Sequence, residues 1–473
     1  MLRFRLFSRL SLLTIFLALA LLISDPGVSR ANGGLGLSMN GAVGASVING
    51  VNYQFLSLRP DISIGKFGIG LDLSIYFDAD GNIRKEDWDQ GADIVEKIYY
   101  VRWGLPGDPF YIRAGNLSPV TLGYGLVMRR YTNSIEWPSV RRVGMQMEVH
   151  AGSIGVETVI GNFREIESPG LVAARVTYEL DMILPLTIGA NVGYDGNQYL
   201  GAKDEDNDGV PDRADIFAGK NDYDFANQIE AEIGSVNARK LIAIGAIPDI
   251  YNLPLTIQDL KDPVMVMGID VGLPLLNGER FSLWTYAQAA QIANYGMGIA
   301  APGLVFTMGP FHAGAEYRIF GKEFRGDYFD MTYETNRVFY SEVDSSYHTR
   351  ESLLTGMPAA NGIWADAGMT FFGLVEIYGA YQNMAYDGGE STQSVYTSAS
   401  LKEKLIPKIS TAEVYFQQPD AKELFSTEAD GTIMGYKVGY EIGQGVSLIY
   451  DNKSIYHNGK ATKIMTIETS LTF

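Results

Sequence analysis

Apolar and polar residues alternate along most of this chain. Between positions 67 and 77 every odd-numbered residue is apolar, and the residues between them are small or polar. The same alternation runs through 172–180, 311–319 and 433–442. Because side chains two residues apart lie on one face of a β-strand, each stretch predicts a strand with one apolar face. Charged residues such as Arg175 occupy the other face, where the core of a soluble β-sandwich would not accept so many.

The connections between these stretches are of two alternating kinds. Tight turns lie at 105–109, 151–153, 309–310, 406–408 and 443–445. Longer polar stretches lie between them, at 78–92, 118–141, 195–224, 321–360, 419–430 and 453–459. Short turns at one rim and long loops at the other are typical of an outer-membrane β-barrel.

The pattern predicts an all-β fold, a transmembrane antiparallel β-barrel with short periplasmic turns and long extracellular loops. We count about 22 strands, and an even number between roughly 16 and 22 fits such barrels. The count takes 225–236, 239–248 and 296–308 as strands, whereas 249–262 and 293–303 are loops or strand ends. The sheet must close on itself, because lipid cannot hydrogen-bond an open sheet edge.

The first residues have the pattern of a secretory signal peptide. Arginines precede an apolar run over residues 10–23, which is shorter than the ~20 residues of a transmembrane helix. Small residues follow at Ser29 and Ala31, where a signal peptidase would cut. We therefore expect residues 1–31 to be removed and residues 32–473 to form a single barrel domain. An uncleaved anchor is the alternative, which the short apolar run disfavours.

Composition narrows the classes of function. The chain has 473 residues and no Cys, which excludes disulfide scaffolds, thiolate metal sites and cysteine nucleophiles. The formal net charge is −18, so nucleic acid is not expected as a partner. The spacing of the 4 His along the sequence links none of them to a nucleophile, and no Gly-x-Ser-x-Gly elbow occurs. We therefore expect a protein that is not an enzyme.

The C-terminus carries the clearest family resemblance. Phe473, Leu471, Ile467 and Met465 share one face of the terminal strand. A C-terminal Phe after alternating apolar residues resembles the strand that the bacterial barrel-assembly machinery recognises. With the signal peptide and the repeated strands over 33–473, the chain resembles a Gram-negative outer-membrane β-barrel protein of porin-like organisation. The resemblance implies the bacterial outer membrane as location, with its lipid and the assembly machinery as partners. Whether the protein is a monomer or a trimer stays open.

The third long loop is a candidate constriction. The stretch 113–131 leads into it, and it ends near Arg141 and Arg142. In general porins the third loop folds into the lumen and narrows it, so the resemblance implies an inward loop. Its apolar residues Leu122, Leu126 and Met128 would be costly in water, which also favours folding inward.

Arginines of this region would then face a lumen that is otherwise rich in carboxylates. Fixed charges of both signs across a constriction select solutes by their charge. The alternative is that 120–128 is another strand, with the Arg pairs at its rim or in contact with lipid headgroups. The candidate constriction residues are Arg113, Arg129, Arg130, Arg141 and Arg142.

The alternation also predicts where further charged and aromatic residues lie in the barrel. Four aromatic residues flank a tight turn and could join an interfacial girdle or be ordinary strand-end residues: Tyr99, Tyr100, Trp103 and Tyr111. The charged positions expected to face the lumen could equally form interior salt bridges. They are Asp72, Glu96, Arg102, Glu148, His150, Glu157, Arg175, Glu179, Glu316, Arg318, Glu376, Lys437, Glu441 and Glu468.

One acidic segment has the spacing of a calcium loop. Residues 204–215 read D-x-D-x-D-G-x-x-D-x-x-D, and oxygen ligands at alternate positions can wrap around Ca²⁺. The spacing resembles a single calcium-binding repeat of thrombospondin type 3. A solvated acidic surface loop is the alternative. The resemblance implies side-chain ligands at Asp204, Asp206, Asp208 and Asp212, a carbonyl ligand at Val210, and a later acidic position at Asp215.

Two functions fit these features. The first is a porin-like channel for passive or weakly selective passage of small polar solutes or ions, which the charged lumen positions favour. The second is a non-conducting structural or adhesive surface barrel with calcium-stabilised loops. The acidic segment 195–224 and the long stretch 321–360 favour this second function. The two roles can coexist, and size and analogy favour transport.

Overall fold

The computed structural model describes most of the chain after residue 34. The described residues are 35–48, 51–85, 88, 97–135, 140, 142–165, 170–202, 222–244, 246–247, 250–251, 260–278, 280–341, 346–401, 405–425, 429, 431–443, 446–457 and 460–472. Several predictions lie outside these residues: the signal peptide 1–31, Glu96, Arg141, the calcium-type segment 204–215 and Phe473.

The structure is built almost entirely of strands. Their bounds are β1 Leu35–Ile48, β2 Val51–Ile64, β3 Phe67–Leu71, β4 Leu73–Phe77, β5 Ile98–Trp103, β6 Phe110–Gly115, β7 Gly144–Ala151, β8 Ile154–Ile160, β9 Leu171–Leu180, β10 Leu186–Asp195, β11 Val264–Asn277, β12 Phe281–Ile292, β13 Met297–Met308, β14 Phe311–Phe320, β15 Val338–Ser341, β16 Ser346–Thr349, β17 Ala360–Phe371, β18 Val375–Tyr386, β19 Ser391–Leu401, β20 Ile409–Ala421, β21 Ile433–Gly443, β22 Val446–His457 and β23 Lys460–Thr472. The predicted all-β fold class is confirmed.

The strands form one closed antiparallel ring. Successive strands pair along the chain, and β1 pairs with β23, with Asn40 opposite Thr472. β3 and β4 both pair with β2 and are separated only by Asp72, so they act as one strand. β15 and β16 form a separate hairpin. The 21-stranded sheet is therefore a ring of twenty strand positions, within the predicted range.

The two rims of the ring differ as predicted, but the long loop expected over 453–459 is wrong, because residues 453–457 belong to β22. The short-turn rim carries the connections 65–66, 104–109, 152–153, 181–185, 278–280, 309–310, 372–374, 402–408 and 444–445. The long-loop rim carries every long connection, at 78–97, 116–143, 161–170, 196–263, 321–359 and 422–432, and also four short ones. The chain enters β1 and leaves β23 at the short-turn rim.

Two helices replace two predicted strands. α1 (Asp222–Ile233) and α2 (Ser235–Ala243) lie in the connection between β10 and β11, so the strands expected over 225–236 and 239–248 are wrong. Apolar residues there recur at helical spacing, as in Ile229 and Ile233, and pack around Ala238 of α2. A third, short helix is α3, Tyr333–Asn336. Among the described residues, no helix is long and apolar enough to cross a membrane.

The outward face of the ring is apolar. On β9, Val176 and Tyr178 are about half exposed, whereas Arg175 and Thr177, which alternate with them, are buried. The same contrast holds on β14, where Ile319 is exposed and its neighbour Arg318 is not. Since a soluble barrel would place its polar face outward, this arrangement fits a barrel surrounded by lipid.

The four aromatic girdle candidates divide between the two faces. Tyr99 and Trp103 are exposed, so they can contact a membrane interface. Tyr100 and Tyr111 are buried and face inward, which removes them from the girdle. The reason is the pleat of the strand, because neighbours such as Tyr99 and Tyr100 point to opposite faces.

Candidate functional site

Two of the long connections fold into the barrel. We call residues 117–135 and 324–337 together the plug. Leu126 and Met128 of the first segment and Phe329 of the second are at most 2% exposed. They pack with inward side chains of many wall strands, which are Val159 of β8, Ala173 of β9, Val266 of β11, Ala290 of β12, Ala300 of β13, Phe320 of β14, Ala360 of β17 and Met384 of β18. Segments that reach so many strands lie in the lumen, so 120–128 is an inward loop and not another strand.

Backbone hydrogen bonds join the two plug segments. The amide of Arg129 donates to the carbonyl of Phe329 at 3.1 Å, and the amide of Phe329 donates to the carbonyl of Val127 at 3.2 Å. The first segment is also a hairpin, since Val120 and Tyr131 exchange both backbone hydrogen bonds. These backbone groups are therefore satisfied although they are buried.

Wall glycines make room for plug side chains. A Cβ on Gly193 of β10 would lie 2.7 Å from Cδ2 of Phe329, and one on Gly272 of β11 would overlap the hydroxyl of Tyr124. Real contacts of a Cβ are seldom below 3.4 Å. The plug thus fits this wall only because these strand positions carry no side chain.

A buried carboxylate on the wall anchors the first plug segment. Glu316 of β14 accepts hydrogen bonds from the Tyr286 hydroxyl and from Gln288 Nε2, both at 2.8 Å. Its Oε1 lies 2.6 Å from Arg318 Nη2 on the wall and 3.2 Å from Arg129 Nη2 on the plug. The Glu316 side chain is fully buried. A buried charge of this kind is stable only with such partners.

Asp327 links the second plug segment to the same charges. Its two oxygens accept from Arg318 Nη1 and Nη2, each at 3.1 Å, and its Oδ1 lies 3.3 Å from Arg129 Nε. The guanidinium of Arg129 also stacks over Trp364, 3.8 Å from the ring centroid. Two arginines and two carboxylates thus alternate, so this part of the plug carries no net charge.

A second buried network lies toward the long-loop rim. Arg337 pairs with Glu165 at 2.9 Å, with Asp195 at 3.2 Å and with Glu334 at 3.5 Å. Arg142 lies with its Nε 3.2 Å from the Glu334 carboxylate. Asp195 belongs to the wall and Glu334 to the plug, so the network ties the second segment to the barrel on its β10 side.

Loop carboxylates have shifted pKa values. Burial alone would raise the pKa of Asp330, but the guanidinium groups of Arg350 and Arg325 outweigh it and hold that pKa below its ordinary value. Burial, together with the hydrogen-bonded carboxyl of Asp262, raises the pKa of Glu351 to about 8. Asp330 therefore stays ionised within the plug, whereas Glu351 is largely protonated at neutral pH.

On the β8–β11 wall, predicted lumen residues form a salt-bridge network. Arg175 binds Asp270 with two hydrogen bonds, of 2.6 and 3.0 Å, and pairs with Glu157 at 2.6 Å. The inward position of Glu157, Arg175, Glu316 and Arg318 agrees with the alternation. Their charges compensate one another, which is the interior salt-bridge role that the sequence left open as the alternative.

The candidate constriction arginines do not form one ring. Arg129 and Arg130 lie in the plug, and Arg142 binds Glu334 behind it. Arg113 lies apart on β6, where its Nε donates to the Asn116 carbonyl at 2.9 Å and its guanidinium stacks over Tyr100.

Sequence reasoning missed the second plug segment. It assigned 321–360 to an extracellular loop, but residues 324–337 lie inside the barrel. The signal was present in the sequence, since Phe324, Tyr328 and Phe329 would be as costly in water as the apolar residues of the first segment.

The plug leaves one side of the lumen accessible to solvent. On β20–β22, Glu413, Lys437 and Asp451 are register neighbours on the inward face. The side chains of Lys437 and Asp451 are 37% and 44% exposed, and that of Arg59 on β2 is 38% exposed. Inward side chains are exposed only where water reaches the lumen. Charges of both signs therefore line this side, which we call the open wall.

Two cavities border the plug. The first, of about 240 Å³, lies toward the short-turn rim and is lined by Tyr124, His150, Glu157, Arg175 and Glu179, among others. The second, of about 120 Å³, lies between the plug and strands β17–β20 and is lined by Arg130, Trp364, Tyr378, Tyr396 and Gln417, among others. We call the second one the arginine cavity.

Metal ligands do not cluster in the described part of the chain. No group of three or more His, Asp or Glu side chains there could hold a metal ion. The calcium-type residues Asp204 to Asp215 lie outside the described residues.

Comparison with known proteins gives distant structural neighbours. No protein-family model and no curated protein matches this chain. Among solved structures, the siderophore receptor PirA from Acinetobacter baumannii has 7% identity over 94% of this chain and 81% of its own, with a TM-score of 0.34. OccD1 (OprD) has 7% identity over 94% and 97%, with a TM-score of 0.33. Pseudomonas aeruginosa OpdQ has 9% identity over 93% and 97%, with a TM-score of 0.31. The barrel architecture of this chain rests on its own strand pairings.

Proposed function

We propose that this protein is a channel of the bacterial outer membrane for passive or weakly selective passage of small polar solutes or ions. The observation that carries the proposal is the solvent-accessible open wall. A structural barrel needs no water-filled side, whereas a channel does. The plug then narrows the lumen without filling it.

The open wall supports weak rather than strong charge selection. Arg59 and Lys437 supply positive charge, and Glu413 and Asp451 supply negative charge. Solutes of either sign meet favourable and unfavourable groups along the same path, so neither is strongly excluded. Arg129 of the plug adds little net field, because it is paired with Glu316 and Asp327.

The apolar exterior supports lipid as the partner of the outer surface. Export by the signal peptide 1–31 and recognition of the terminal strand by the barrel-assembly machinery belong to the same proposal. Weak binding of Ca²⁺ by residues 204–215 is a further part of it, supported by the spacing of the acidic residues.

The experiment is single-channel recording from refolded residues 32–473 in a planar bilayer, first in EDTA and then in millimolar calcium. Discrete current steps are expected, and Lys437→Glu should shift the reversal potential in a KCl gradient toward cation selectivity. Lys422→Glu is the matched control, because Lys422 is 74% exposed at the long-loop rim. A folded, heat-modifiable barrel that never conducts would favour the structural or adhesive surface role instead.

A further inference from the structure

Arg130 is held by the faces of two aromatic rings. Its guanidinium carbon lies 4.1 Å from the ring centroid of Tyr396 and 5.0 Å from that of Tyr378. Stacking uses the flat face of the guanidinium and leaves its N–H donors, which lie in the plane at its edge. Its Nε is buried without a hydrogen-bond partner, and no carboxylate among the described residues pairs with it. The group is therefore fixed in place with its donors unused.

The three carboxylates on the described lining of the cavity are already compensated by other arginines. Asp327 pairs with Arg318 and Asp420 pairs with Arg325, at 3.1 and 2.7 Å. Asp330 pairs with Arg350 at 2.6 Å. Among the described residues that line the arginine cavity, Arg130 is therefore the charged residue whose charge no opposite charge compensates. An uncompensated, partly buried cation is costly unless an anion joins it.

The backbone holds Arg130 at the cavity wall in an unusual conformation. Its φ is +55°, a left-handed value that few non-glycine residues adopt. Its amide donates to Thr121 Oγ1 at 3.0 Å, which ties it to the opposite strand of the plug hairpin. Such conformations persist where the surroundings impose them, and they are frequent at ligand sites.

We propose that the arginine cavity binds the carboxylate of a small organic acid, with Arg130 as a two-pronged hydrogen-bond donor. A planar guanidinium edge matches the two oxygens of a carboxylate. Tyr378, Tyr396 and Trp364 surround the site and offer apolar ring atoms to the rest of the acid. The inference rests on the proposed function, because a solute reaches this cavity only if it enters the lumen.

The test is calorimetric titration of the refolded barrel in detergent with benzoate and with benzamide, its neutral counterpart of the same shape. Benzoate should bind and benzamide should bind at least roughly ten-fold more weakly, since hydrogen bonds between charged groups are the stronger ones. Arg130→Gln should weaken benzoate binding roughly ten- to a hundred-fold. Lys422→Gln, which removes one exposed cation, should leave it unchanged.

Equal binding of the two probes to the unmodified protein would overturn the site, and this comparison needs no variant to fold. Unchanged benzoate binding by a folded Arg130→Gln protein would also overturn it. Titration in detergent does not depend on conduction. Benzoate binding without any bilayer current would therefore support the carboxylate site and refute the channel. Current without a preference for benzoate over benzamide would support the channel and refute the carboxylate site.

Discussion

The fit of the plug to the wall can be tested at Gly193. Gly193→Val makes a Cβ overlap Cε2 of Phe329 and places it 2.7 Å from Cδ2, where ordinary contact begins near 3.4 Å, so the ring must move by at least about 0.7 Å. Phe329 cannot move freely, since it is fully buried and packs against Tyr333 with ring centroids 4.9 Å apart. Overpacking of this kind costs about 1–3 kcal/mol.

The cost should fall on the docked plug and not on the barrel. Valine is favourable in a strand, and Gly193 keeps its backbone pairing with Val266 and Ala173. A cost of about 1–3 kcal/mol raises the undocked population of the plug roughly 5- to 150-fold. Bilayer recordings should then show a larger current step more often, by about the same factor.

Two further variants make this test specific. Gly379→Val is the matched control, because a Cβ at Gly379 reaches only the carbonyl oxygen of Tyr396, at 3.9 Å. Gly193→Val combined with Phe329→Ala should restore the original current, since the smaller side chain removes the overlap. An unchanged current in Gly193→Val, or an equal change in Gly379→Val, would refute the idea that the plug seats in this glycine position.

Two other predictions concern buried charge. Glu316→Gln leaves Arg318 buried without its closest carboxylate. The free energy of unfolding should therefore drop by about 3–5 kcal/mol. Urea titration followed by electrophoretic mobility measures this change. The exposed Glu376→Gln should change it little, and equal losses in the two variants would contradict this. The pKa of Glu351 is about 8 in the folded protein, above the ordinary 4.5, so its contribution to stability is full below pH 4.5 and is lost as the pH rises through 8. The protection factors of amides around residues 346–354, which correct the exchange rate for its intrinsic base catalysis, should therefore be lower at pH 9 than at pH 6, and Glu351→Gln should remove that difference in protection. A loss of protection at pH 9 that the variant keeps would refute this assignment.

The barrel could be predicted from the sequence because its signal is local. Alternation over 67–77 or 311–319 follows directly from the pleat of a strand with lipid on one side and the lumen on the other. The tight turns at 309–310 and 443–445 predicted the short-turn rim, because a turn is also a local feature of the sequence. Helices over 222–243 were missed, since short apolar runs with helical spacing can also be counted as weak strands.

The candidate site could be predicted only in part. The cost of exposing Leu126 and Met128 to water pointed to an inward loop, and the structure has one. The partners of that loop could not be found in this way. Asp327 and Glu316 lie 198 and 187 positions from Arg129, and no local pattern records which carboxylate meets which arginine.

The sequence by itself determined the fold class, the two rims, the inward charges and the apolar exterior, because each depends on neighbours along the chain or on the contrast between lipid and water. The tertiary structure alone decided that two connections form one plug and that it fits against Gly193. It also decided that the plug leaves the open wall wet and Arg130 unpaired. These features depend on contacts between segments far apart in the chain, which exist only once the ring has closed.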